Sequence, residues 1–137
     1  MEQTFAIIKP DAVKDGHTGS IIRMIEEAGF QIRGLKMLRM SKQQAEAFYE
    51  IHRERPFYGS LVTFMSEGSV VVLCLQRDDA IKAWRELMGA TDPAKAAEGT
   101  IRKRFASSIE RNAVHGSDSA NTAAAEIPFF FSMSELL

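Results

Sequence analysis

The chain is short of cysteine, of net charge and of long apolar runs, and each shortage excludes something. A single cysteine, Cys74, rules out an intramolecular disulfide and fits a reducing compartment. Seventeen basic residues against eighteen acidic ones leave a net charge of −1, so nucleic acid is not expected as the main partner. The longest aliphatic run is VVVLCL, Val70 to Leu75. It is far below the roughly 20 residues that span a bilayer, so no membrane association is expected. The N-terminus, MEQTFAIIKP, carries an acid at position 2 and no basic leader, and does not read as a signal peptide. Repeats, linkers and low-complexity tracts are missing too. A length of 137 residues, 45% hydrophobic and 26% charged, suits one cytoplasmic domain over residues 1–137.

Familiar site motifs are also scarce. No G-x-G-x-x-G occurs. GFQIRGLK, Gly29 to Lys36, approaches the phosphate loop G-x-x-x-x-G-K-[ST], but Leu35 displaces the lysine and Met37 stands where Ser or Thr belongs. His17, His52 and His115 have no metal-ligand spacing, and no protein metal site is expected. Any phosphate must be handled by side chains.

What is present alternates between strand and helix patterns. Thr4 to Lys9 reads as a buried strand closed by Pro10, and Ile21, Ile22, Ile25 and Ala28 form one face of a helix stopped at Gly29. FQIRGLKMLRM alternates as a strand with an irregularity at Gly34. Ser41 and Gln44 form a capping-box pattern, opening a helix that ends before Pro56. A short helix is expected within FYGSLVTFMSEG. A central strand at SVVVLCLQ precedes a helix begun by Asp78 or Asp79 and ended by Gly89. From Gly89 to about Ala113 periodicity weakens, which marks a functional loop or an interface. An alanine-rich helix then stops near Pro128, with an aromatic tail that docks on the core or a neighbouring subunit. Two β-α-β units fit an α/β (α+β) ferredoxin-like split β-α-β sandwich, a four-stranded antiparallel sheet with helices. A doubly wound parallel sheet fits the same pattern, because strand order is not written in periodicity.

Chemistry concentrates late in the chain. Arg102, Lys103 and Arg104 sit together in the irregular segment, Arg85 and Thr91 lie just before it, and Lys9 ends the first strand. An arginine fork suits phosphate oxygens, so arginines converging on one cleft would clamp a phosphate. His115 ends a short apolar step and precedes Gly116, with Ser117 and Ser119 both suited to cap the following helix. A helix N-terminus there would favour an anion. Glu126, on that helix, can reach back to hold one imidazole nitrogen and leave the other free to attack.

Taken together, TFAIIKPDAV, RPFYGSLVTFM, LMGATDPAKAAEGTIRKRF and RNAVHGSDS resemble the nucleoside diphosphate kinase family along essentially the whole chain, and the short C-terminus resembles the bacterial form. The resemblance implies transfer of the terminal phosphate of a nucleoside triphosphate, mainly ATP, to nucleoside diphosphates of any base. It implies a ping-pong reaction through a phosphohistidine, with His115 as nucleophile at Nδ1 and Glu126 as the carboxylate that orients it. Lys9, Tyr49, Arg85, Thr91, Arg102 and Asn112 match positions that contact phosphates and ribose hydroxyls, and His52 falls where some members touch a phosphate. Phe57 matches the aromatic that stacks the base, with Leu61 and Ile109 lining the slot. Mg²⁺ would arrive on the nucleotide phosphates, and the chain would assemble as a homo-oligomer, a tetramer before a hexamer.

Overall fold

A computed structural model describes residues 1–137. Four strands form one sheet: β1 (Glu2–Ile8), β2 (Gln31–Arg39), β3 (Ser69–Arg77) and β4 (Val114–Gly116), in the order β2-β3-β1-β4. Every neighbouring pair is antiparallel, which excludes the doubly wound parallel sheet. β3 fills the gap between β1 and β2, and β1 the gap between β3 and β4. That is the split β-α-β, ferredoxin-like arrangement.

The two central strands are buried on both faces, which is why they read as continuous apolar runs rather than alternating ones. Phe5, Ile7, Val70, Val72 and Cys74 face one core with helices α3 (Lys42–Phe48), α4 (Tyr58–Ser66) and α7 (Ala120–Phe130). Ala6, Ile8, Val71, Leu73 and Leu75 face the other, against α1 (Pro10–Lys14), α2 (Thr18–Glu27), α5 (Ala80–Met88) and α6 (Ile101–Phe105). Deep burial raises the Cys74 thiol to about 11, so it stays protonated and inert at neutral pH.

Local expectations and structure differ at identifiable places. The capping box at Ser41 and Gln44 is present, but its helix ends at Phe48 and continues only as a 3-10 turn, Glu50–His52. The irregularity in β2 is a bulge between Ile32 and Gly34. Gly34 is needed there because a Cβ would meet Phe131 at 2.9 Å, where the aromatic tail docks on this chain's own core. Asp79 opens α5 without capping it; its φ is 51°, and the Glu2 carboxylate accepts from the Ile81 amide at 2.9 Å instead. α7 runs through Pro128 to Phe130. Pro128 forgoes one bond on the exposed side, while buried Ile127, Phe130 and Phe131 hold the last turn. α1, α6 and a 3-10 turn at Pro93–Lys95 were not expected; all three are too short to show a period. No helix is long and apolar enough to cross a membrane.

Candidate active site

β4 carries His115 and lies at the sheet edge, paired with β1 so that His115 faces Ile7. Two residues earlier the backbone makes a rare turn. Ala113 has φ 73°, and the Val114 amide donates to the Asn112 carbonyl at 2.9 Å, a γ-turn in a non-glycine residue. Such a conformation costs about 1–3 kcal/mol and persists only where its surroundings hold it. Three groups do so. The Ala113 amide donates to Asp11 Oδ2 at 3.1 Å, its carbonyl accepts from the Lys9 amide at 2.8 Å, and Arg102 Nε donates to the Asn112 carbonyl at 3.3 Å. Beyond the turn, Trp84 Nε1 donates to the His115 carbonyl at 3.1 Å. Gly116 is required by this packing: a Cβ would lie 2.5 Å from the Trp84 ring and 2.6 Å from Met88.

The imidazole of His115 rests edge-on against Phe5, Phe48 and Tyr49, with ring centroids 6.1, 5.5 and 6.4 Å away. Its Nε2 lies 3.2 Å from Glu126 Oε1. An ionised carboxylate only accepts, so this contact places the proton on Nε2 and leaves the Nδ1 lone pair free. Glu126 is itself held. Ser117, fully buried, donates to the same Oε1 at 2.7 Å and accepts from the Phe5 amide at 3.3 Å. Ser117 therefore does not cap α7, which is capped by Ser119 and Thr122 alone. The cavity lining reaches Asp118, next to the Ser119 cap that opens α7.

A cavity of about 410 Å³ opens in front of His115. It gathers Lys9, Tyr49, His52, Phe57 and Leu61 from the first half of the chain with Arg85, Thr91, Arg102, Ile109 and Asn112 from the second. Glu126 stands behind the imidazole, outside the lining. A wider groove of about 860 Å³ adjoins, sharing Arg85, Met88, Thr91, Arg102 and Asp118.

The cations are arranged unequally. Lys9 is 8% exposed, and its Nζ donates to Asn112 Oδ1 at 2.8 Å. Burial, then the Arg102 charge, lowers its ammonium from 10.5 to about 8, against the opposite pull of Asp11 and Glu110. Asn112 uses its other end on the Thr91 carbonyl at 3.3 Å. Arg102, expected as a phosphate ligand, is largely a structural strap: its guanidinium donates to the carbonyls of Asn112, Gly89 and Val114 at 3.3, 3.0 and 2.9 Å. Burial, then Arg85, lowers it to about 10, so it remains charged at neutral pH. Each terminal nitrogen of its fork keeps one N–H beyond these bonds. Arg85 is half exposed and pairs with Asp118 at 2.9 Å. The Tyr49 hydroxyl is buried without a partner and its acidity is strongly suppressed, by burial first and Glu126 second. It is a fixed donor in want of an acceptor.

A family model for nucleoside diphosphate kinase matches residues 2–136. The chain belongs to the nucleoside diphosphate kinase family. It is 60% identical to the nucleoside diphosphate kinase of Geotalea uraniireducens and 59% identical to that of Trichlorobacter lovleyi, with 100% of this chain covered in both cases and 100% and 99% of the relatives. Its fold matches the solved nucleoside diphosphate kinase of Aquifex aeolicus with a TM-score of 0.97 at 45% identity, covering 99% of each chain. The halophilic enzyme from Halobacterium salinarum, solved in complex with CDP, matches at 0.96 and 36% identity, over 99% of this chain and 91% of the other. The fold is accordingly ferredoxin-like and the protein is a phosphotransferase that moves phosphate between nucleoside triphosphates and diphosphates.

Sequence reasoning gave no site role to three residues that shape this kinase's site. Ser117 holds Glu126, Asp11 pins the γ-turn, and Glu110 lines the cavity. Spacing offers a signal only for Ser117, which lies two residues from His115.

Proposed function

We propose that the kinase works in two half-reactions through a phosphohistidine on His115, the whole of residues 1–137 acting as one domain. The observation that carries this is the imidazole's asymmetry: Nε2 is on Glu126 while Nδ1 has no hydrogen-bond partner. The Nδ1 lone pair attacks the γ-phosphorus, a P–N bond forms, the bond to the β-phosphate oxygen breaks, and the nucleoside diphosphate leaves with those electrons. An acceptor diphosphate then attacks the phosphohistidine and reverses the sequence. Little covalent chemistry is required beyond positioning and charge stabilisation.

Lys9 supplies a compact cation beside His115, and Tyr49 an unused donor for the transferring oxygens. Arg85 and the spare N–H groups of Arg102 spread charge over the phosphates. Asn112 holds Lys9 and faces the ribose, and Thr91 and His52 meet phosphate oxygens. Phe57, 41% exposed, offers a ring face on which a base stacks, with Leu61 and Ile109 completing the slot. Stacking uses the π-face that every base has, which supports broad base use. The Halobacterium relative was solved in complex with CDP, which supports a nucleoside diphosphate as the ligand class here. No group of three or more His, Cys, Asp and Glu side chains offers a cage. Mg²⁺ is read as arriving on the nucleotide, where it would neutralise phosphate charge. The protein acts in the cytoplasm as a homo-oligomer, tetramer or hexamer. Exposed Leu35 and Met37 on the edge strand β2, 47% and 59% exposed, support self-association.

The test is a phosphohistidine trap. Incubation with γ-labelled ATP and no acceptor should leave an acid-labile, base-stable label that GDP or dCDP discharges and that His115→Ala cannot form. Folded wild-type protein that takes no label would refute the assignment. A label that free diphosphates fail to remove would point instead to a histidine phosphorelay carrier.

A further inference from the structure

One charged group at the cavity does not fit a polyanion site. Of the two acids lining it, Asp118 is neutralised by Arg85 at 2.9 Å. Glu110 has no cationic side chain within ion-pair distance. Its one hydrogen bond is from Ser60, whose hydroxyl donates to Oε2 at 2.7 Å and also lies 3.1 Å from the Phe57 carbonyl. Oε1 has no partner. Ser60 belongs to α4, which carries Leu61 and follows Phe57; Glu110 follows Ile109 on the opposite wall. A single hydrogen bond across 50 residues thus ties the two walls of the base slot and fixes a carboxylate at its edge.

We propose that Glu110 reads the edge of the bound base. This rests on the reading of Phe57, Leu61 and Ile109 as the base slot. A carboxylate is acceptor-only. Guanine offers it adjacent ring N–H and amino donors, and cytosine and adenine offer an amino group. Uracil and thymine present two carbonyls around a single N–H, and those oxygens repel it. The kinase accepts every base by stacking but favours those with an exocyclic amine, guanine most. Because the carboxylate is only partly buried, discrimination sits at the low end of that for bidentate base contacts, about fivefold.

Two pairs of acceptors isolate the effect. CDP and UDP share one ring size and differ at the amino group; GDP and IDP differ only in the 2-amino group. In the wild type, kcat/KM for phosphate transfer from the phosphoenzyme should favour CDP over UDP, and GDP over IDP, by about fivefold. Glu110→Gln, isosteric and able to donate as well as accept, should bring both ratios close to one. Glu110→Lys should invert the CDP:UDP ratio. Ratios near one in the wild type, or a Glu110→Gln variant that changes every acceptor by a common factor, would overturn the proposal. Phe57→Ala separates the underlying reading. If it leaves the KM of all four acceptors unchanged the slot is misplaced, whatever the Glu110 variants show.

Discussion

Lys9 makes the most exacting test of the site. Burial and Arg102 hold its folded ammonium near 8, far below its ordinary 10.5. If the charged form is what binds and stabilises the transferring phosphate, kcat/KM for phosphoenzyme formation from ATP should fall through a single ionisation near pH 8. About a tenth of the cation remains at pH 9 and about a hundredth at pH 10, so the expected losses are about tenfold and hundredfold. Because kcat/KM reports free enzyme and kcat the complex, the nucleotide's negative charge should move the limb in kcat to higher pH. Stability moves the other way. Between about 8 and 10.5 the unfolded chain holds a proton on Lys9 that the folded chain has released, so Lys9's contribution to folding improves as pH rises, by up to about 3 kcal/mol. Cys74 opposes this: its thiol is raised from 9.0 to about 11, so its contribution is lost across that interval. The difference between wild type and Lys9→Met isolates the lysine, since methionine cannot titrate. Rapid-quench kinetics from pH 7 to 10, with urea melts of both proteins at each pH, measure both. A kcat/KM that stays flat to pH 10 in folded wild type would show that the Lys9 charge takes no part in transfer.

Three further perturbations have definite signs. Ser117→Ala removes the hydroxyl between Glu126 and the Phe5 amide, so it should cost about 1–3 kcal/mol in urea unfolding. It should also lower the phosphorylation rate of His115 more than it raises nucleotide KM; a variant that changed only KM would contradict a positioning role. Arg102→Ala removes three donors to backbone carbonyls as well as a charge, and should lose both turnover and about 3 kcal/mol of stability. A change in base preference alone would refute that assignment. Gly116→Ala drives a methyl into Trp84 and Met88 and should destabilise by about 1–3 kcal/mol, shifting the tryptophan fluorescence. A wild-type melting temperature would show that the close approach is unimportant.

Much of this enzyme is written locally. The two β-α-β units, the capping box at Ser41, the bulge near Gly34 and the stop at Gly89 follow from residue choice over a few positions, because periodicity and capping are short-range effects. The family was legible as well, through resemblance of whole motifs rather than through spacing. Expectations failed where distant groups overrode local ones. α5 draws its cap from Glu2, 79 residues away, instead of the adjacent aspartate. Pro128 stays helical because its neighbours are buried in the core.

The sequence by itself determined the longer periodic elements, the buried character of β1 and β3, and the residues proposed for the site. Tertiary structure alone decided strand order and the job each site residue performs. Lys9 meets Asn112 across 103 residues, Ser117 turns from a helix cap into the anchor of Glu126, and Arg102 spends three donors on backbone carbonyls before any phosphate arrives. Hydrogen bonds and desolvation act over a few ångströms of space, and the chain brings such pairs together only when the sheet closes.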